Sequence, residues 1–121
     1  MEKAKSFKDL EVWQKGIQLA KDIYGLTIQF PKDELYGLTN QIRRAAVSVP
    51  ANIAEGQARK LPADFRHFLR ISLGSLAEVE TYLVLANDFG YLKSIDTSST
   101  NDLIVDIRKM TYALINSMSA S

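Results

Sequence analysis

Apolar residues return at steps of three and four in four separate stretches of this chain, and no stretch alternates apolar and polar residues as a half-buried strand does. That periodicity restricts the chain to helices. The first is expected over about residues 9–30, with Asp9 as its N-cap and Pro31 ending it. Leu10, Trp13, Ile17, Ala20 and Tyr24 form one stripe, and Val12, Leu19, Ile23, Leu26 and Phe30 form a second beside it. Such a face is wider than one partner helix covers, so this helix asks for several neighbours.

The second helix is expected over about 33–57, opened by Asp33 and Glu34, whose charges suit a helix N-terminus. Leu35, Leu38, Ile42, Ala45, Val49 and Ile53 form its core face. Pro50 lies inside this pattern, where a proline costs ~3 kcal/mol, and predicts a kink or, failing that, a break. Gly56 is read as the C′ residue, with fraying on to Ala58. A third helix follows over about 62–89, with Pro62 in its first turn and Gly90 as its stop. The fourth is expected over about 100–118, carrying Leu103, Ile107, Met110, Leu114 and Met118, with Ile104, Thr111 and Ile115 alongside. Short connections between long helices make sequence neighbours antiparallel. The expected fold is all-α: one domain over residues 1–121, an antiparallel up-down-up-down four-helix bundle.

Chemistry is limited by what is missing. The chain has no cysteine, so neither a disulfide nor a thiolate metal site can form. Carboxylate-bridged metal pairs in bundles need Glu-x-x-His from two helices. Here the single histidine, His67, has only Asp64 at that spacing. No Gly-x-x-x-x-Gly-Lys run offers a phosphate loop, and nothing marks a serine–histidine pair with an oxyanion site. The expectation is no enzyme, no cofactor and no small-molecule substrate. The opening MEKAKSFKDLEVWQ carries charges where a signal peptide needs an apolar run, and no apolar stretch is long enough to span a membrane. A cytoplasmic protein with no membrane partner is expected.

Net charge is only +1, but its distribution is uneven. From Arg43 to Arg70 six cations face Glu55 and Asp64 alone; from Glu78 to Asp106 six carboxylates face Lys93 alone. Opposite faces of this kind can bring copies of the chain together. The densest cations, Arg59, Lys60, Arg66 and Arg70, flank the connection between the second and third helices and are a candidate phosphate-contacting patch, set against a reading as ordinary solubilising charge. On the second helix Gln41, Arg44, Ser48, Asn52 and Glu55 recur at steps of three and four beside small alanines. They read either as a solvated face or as a hydrogen-bonded interface between helices or subunits. Ser75, Glu78 and Tyr82 are possible partners, including an Arg44–Glu78 pair.

Three segments carry a resemblance. FKDLEVWQKG, FPKDELYGLTNQIRRAAVSVPANIAEG and FLRISLGSLAEVETYL, in that order, resemble the bacterial four-helix-bundle family whose founding members are encoded within intervening sequences of 23S ribosomal RNA genes. The resemblance implies an antiparallel bundle assembled as a homopentameric ring, and no enzymatic activity. It also implies kinship with the accessory variability protein of diversity-generating retroelements, which works with a reverse transcriptase and nucleic acid. Gln41, Arg44, Asn52, Glu55, Gly56, Gly74, Ser75 and Glu78 match the family pattern and look like scaffold and interface residues. Two functions stay open: an oligomeric scaffold contacting RNA or a nucleoprotein partner, and a protein–protein adaptor without nucleic-acid affinity.

Overall fold

A computed structural model describes residues 6–118. The domain expected over 1–121 extends beyond the described residues at both ends, as do the first five residues of the N-terminal stretch. Four helices account for most of the chain: α1 (Glu11–Thr27), α2 (Leu38–Ala58), α3 (Pro62–Asp88) and α4 (Ser98–Met118). Short 3-10 turns, Phe7–Asp9 and Lys32–Glu34, precede α1 and α2.

The directions follow from residue pairs. Gly16 lies against Pro50 while Thr27 meets Arg43, so α1 and α2 are antiparallel. Gly56 lies against Phe65 and Phe68 while Ser48 meets Ser75, which sets α3 antiparallel to α2. Arg66 reaches Met118 and Glu80 pairs with Arg108 across α3 and α4. Lys15 and Asp106, 3.6 Å apart, tie α1 to α4. Neighbouring helices therefore close a four-membered ring, and among the described residues neither diagonal pair makes a close backbone approach. This is the all-α, up-and-down four-helix bundle that the periodicity predicts. No helix among the described residues is long and apolar enough to cross a membrane.

The core runs down the centre through Leu19 and Ile23 of α1, Ile42, Val49 and Ile53 of α2, Leu69, Leu76 and Val79 of α3, and Ile104, Ile107 and Ile115 of α4. Each such side chain contributes about 1.5–3 kcal/mol when taken fully out of water. On α1 the core stripe is the one through Val12, Leu19 and Ile23; Trp13 is half-buried and Tyr24 is exposed. On α4 likewise Ile104, Thr111 and Ile115 turn inward with Ile107, while Leu103, Met110, Leu114 and Met118 flank them.

Several expected boundaries are corrected. Asp9 does not cap α1; it belongs to the preceding turn, where its carboxylate accepts from the Ser6 backbone and Ser6 Oγ accepts from Lys8. α1 stops at Thr27, before Phe30. α2 begins at Leu38 instead of Asp33, because Glu34 folds back and its Oε1 accepts from the Leu38 backbone at 3.2 Å. Leu35, left in that turn, is exposed.

α2 runs unbroken through Pro50, whose buried ring sits against Gly16, where a Cβ would come within 3.1 Å. Gly56 does not end α2. It is buried inside the helix, where a Cβ would stand 2.8 Å from Phe68 Cβ, so its missing side chain sets the spacing of α2 and α3. The left-handed residue after α2 is Lys60, at φ 66°. Gly90 does terminate α3: it stands at φ +84°, its N–H reaches Asn87 O, and Tyr91 N–H reaches Ala86 O. This is the paired hydrogen bonding of a Schellman stop.

Candidate functional site

The polar stripe of α2 divides in two. Ser48 and Asn52 turn toward α3: Ser75 Oγ donates to Ser48 Oγ at 2.9 Å, and Asn52 Nδ2 donates to Ser48 Oγ and O, each at 2.8 Å. One residue away, Ser72 Oγ donates to the Val49 carbonyl at 2.9 Å. The Ser75 and Ser72 bonds join α3 to α2, and Asn52 braces Ser48 from within α2, so at Ser48 the stripe is a contact between helices of one chain. Gln41, Arg44 and Glu55 are exposed. Glu78 does not pair with Arg44; its carboxylate accepts from the Tyr82 hydroxyl at 3.4 Å, and Glu55 pairs with Arg59 at 3.3 Å.

The four predicted cations do share one end of the bundle, where α2 passes to α3. Their charges are not equally available. Arg59 is tied to Glu55 and lies over the Phe68 ring, 4.8 Å from its centroid. Arg66 Nη1 donates to the Met118 carbonyl at 2.7 Å, closing the last turn of α4. Lys60 and Arg70 are exposed and make no ion pair among the described residues. His67 is exposed and meets Phe68 edge-on at 5.2 Å.

A third feature lies at the other end and was not predicted. Where α1 turns into α2, Ile28, Phe30, Lys32, Leu35, Thr39 and Arg43 line a largely apolar groove of about 390 Å³. Arg43 is held there by its Nε–H bond to Thr27 Oγ1 at 2.8 Å and by the Tyr24 ring 4.5 Å beneath its guanidinium. Glu34 braces the same end. One carboxylate oxygen caps α2, and the other accepts from Tyr91 Oη at 2.8 Å, with the tyrosine raised above its usual pKa chiefly by that bond.

A comparison with protein family models adds to this geometry. The model for the 23S rRNA-intervening sequence protein covers residues 8–113. The chain belongs to that family. No curated protein matches it. The family segment contains every candidate residue named above, so the Ser48–Asn52–Ser75 seam, the cations and the groove all belong to the 23S rRNA-intervening sequence protein bundle itself.

Proposed function

We propose that this chain is a non-catalytic, homo-oligomeric scaffold that contacts RNA or a nucleoprotein partner through the end of the bundle where α2 meets α3. The observation that carries this reading is the exposure of Lys60 and Arg70, uncompensated by ion pairs among the described residues, beside Arg59 at one end of a nearly neutral bundle. Two free cations hold a polyanion weakly, but an assembly repeats them in every subunit and meets several phosphates at once. Five subunits is the number that the family resemblance implies. The apolar stripe of α1 through Trp13 and Tyr24, which one bundle only half covers, supports assembly.

A second reading, the protein–protein adaptor, is favoured by a different observation. Arg59 pairs with the Glu55 carboxylate and Arg66 commits one guanidinium nitrogen to the Met118 carbonyl, which leaves fewer groups for phosphates. Gel retardation separates the two. Wild-type protein should retard single-stranded RNA at low salt without sequence preference, its affinity falling with salt by about 0.7 in log slope per phosphate contacted. Lys60→Glu with Arg70→Glu should abolish the shift and leave helicity and oligomer size unchanged. No retardation by wild type removes the nucleic-acid reading and leaves the adaptor.

A further inference from the structure

Arg59 brings no free charge to the end where α2 meets α3, yet two contacts fix where its guanidinium lies. Its Nε donates to Glu55 Oε2 at 3.3 Å, and its Cζ stands 4.8 Å from the centroid of the Phe68 ring. Phe68 is fixed in turn at its root, because its Cβ lies only 2.8 Å from where a Cβ on Gly56 would stand, so α2 itself backs the phenylalanine. Half of the Arg59 side chain, 50%, is nevertheless in solvent. The group is anchored without being covered.

Its surroundings are not those of a simple phosphate site. Glu55 beside it repels a phosphate but not the face of an uncharged base. Leu61, two residues on, leaves 61% of itself in solvent, and the exposed His67 ring meets Phe68 edge-on at 5.2 Å. A bare polyanion has no use for a leucine or an imidazole. Guanidinium planes and aromatic rings are the surfaces on which splayed-out bases stack. Lys60 and Arg70, exposed and without ion pairs among the described residues, share this end and supply the charge.

We propose that an unpaired RNA base stacks on the Arg59 guanidinium from the side away from Phe68, while Lys60 and Arg70 hold neighbouring phosphates. This rests on the RNA-contacting reading above and says which form of RNA is taken: single strand. In a duplex the bases stack on one another and offer no face to Arg59. Preference among bases should be slight, because every base has a π-face. The role belongs to arginine, since a lysine ammonium carries the same charge but no plane.

Fluorescence anisotropy tests it with two end-labelled strands of equal length, oligouridylate and an abasic ribose-phosphate strand. They carry the same phosphates and differ only in having bases. Wild type should bind oligouridylate at least about 5-fold more tightly than the abasic strand. Arg59→Lys should bind the two alike, with the salt dependence of wild type. Phe68→Leu, which removes the ring under Arg59 and keeps an apolar side chain, should reduce the preference too, and replaces Arg59→Lys if that variant loses helicity. A wild type that does not distinguish the strands, a preference that survives in Arg59→Lys, or an equal loss on both strands overturns the inference and leaves phosphate contact standing. A wild type that binds neither strand overturns both this inference and the RNA-contacting reading.

Discussion

Gly56 of α2 stands so close to Phe68 of α3 that a Cβ on the glycine would lie 2.8 Å from the phenylalanine Cβ. A phenylalanine Cβ is fixed to its own backbone, so Gly56→Ala must push the two helices apart. Overpacking of this kind costs about 1–3 kcal/mol and outweighs the gain of ~1 kcal/mol in helix propensity. Gly74 provides the control, because nothing lies within 4 Å of its missing Cβ. Gly74→Ala should stabilise by about 0.5–1 kcal/mol. Urea unfolding of both variants should give opposite signs; equal shifts would refute the account of the α2–α3 spacing.

Arg66 should behave as a structural residue. Its hydrogen bond to the Met118 carbonyl ties the start of α3 to the end of α4, and a charged donor in such a bond contributes about 1.5–3 kcal/mol. Arg66→Ala should therefore lower the thermal midpoint, whereas Arg70→Ala should leave it nearly unchanged. An Arg66→Ala protein as stable as wild type would show that the contact is idle.

Helix existence and order were legible because the punctuation is strong: Pro62 falls where α3 starts and Gly90 where it stops, while Pro31, expected to end the first helix, lies in the connection four residues past the end of α1. The errors have particular physical causes. Leu35 continues the helical period backward from Leu38, and periodicity cannot see Glu34 turning back to cap Leu38. Gly56 was misread because a glycine that ends a helix and one that admits a neighbouring helix look alike in sequence. Two adjacent apolar stripes on the first and fourth helices left the inward one undecided. Ser75 was legible as a partner for the polar stripe through its spacing. Arg66 was not legible as a tie to Met118, because its partner is 52 residues away. The groove escaped notice because Leu35 read as an ordinary core position.

The Tyr91–Glu34 bond makes an alkaline prediction. Tyr91 is raised from its usual 10.0, first by its hydrogen bond to Glu34, then by desolvation and the charges of Glu34 and Asp33. Above pH 10.0 the unfolded chain loses the tyrosine proton more readily than the folded one, so this contribution is complete below pH 10.0 and fades as pH rises through the folded value. Denaturation midpoints should fall more steeply above pH 10.0 in wild type than in Tyr91→Phe. Parallel curves would mean that the bond does not bear on stability.

Lys60 holds a left-handed backbone conformation, at φ 66°, that costs a side-chain-bearing residue about 1–2 kcal/mol relative to glycine. Lys60→Gly should raise stability by roughly 1 kcal/mol while weakening any retardation of RNA. Urea midpoints and gel shifts on the same preparation separate the two effects. A destabilised Lys60→Gly protein would show that the lysine side chain makes contacts that outweigh the strain.

The ring of helix contacts has a consequence for the order in which the bundle assembles. α2 and α3 are joined by only three residues, Arg59–Leu61, and share the Gly56, Ser72 and Ser75 contacts, so their hairpin closes a short loop at little entropic cost. α1 and α4 meet across nearly the whole length of the chain, so contacts such as Lys15 with Asp106 close a far longer loop and are expected to form after that hairpin. The seam formed last should open first. Native-state hydrogen exchange should find the slowest amides around Ile53 and Leu76 and the earliest sub-global opening along α1 and α4.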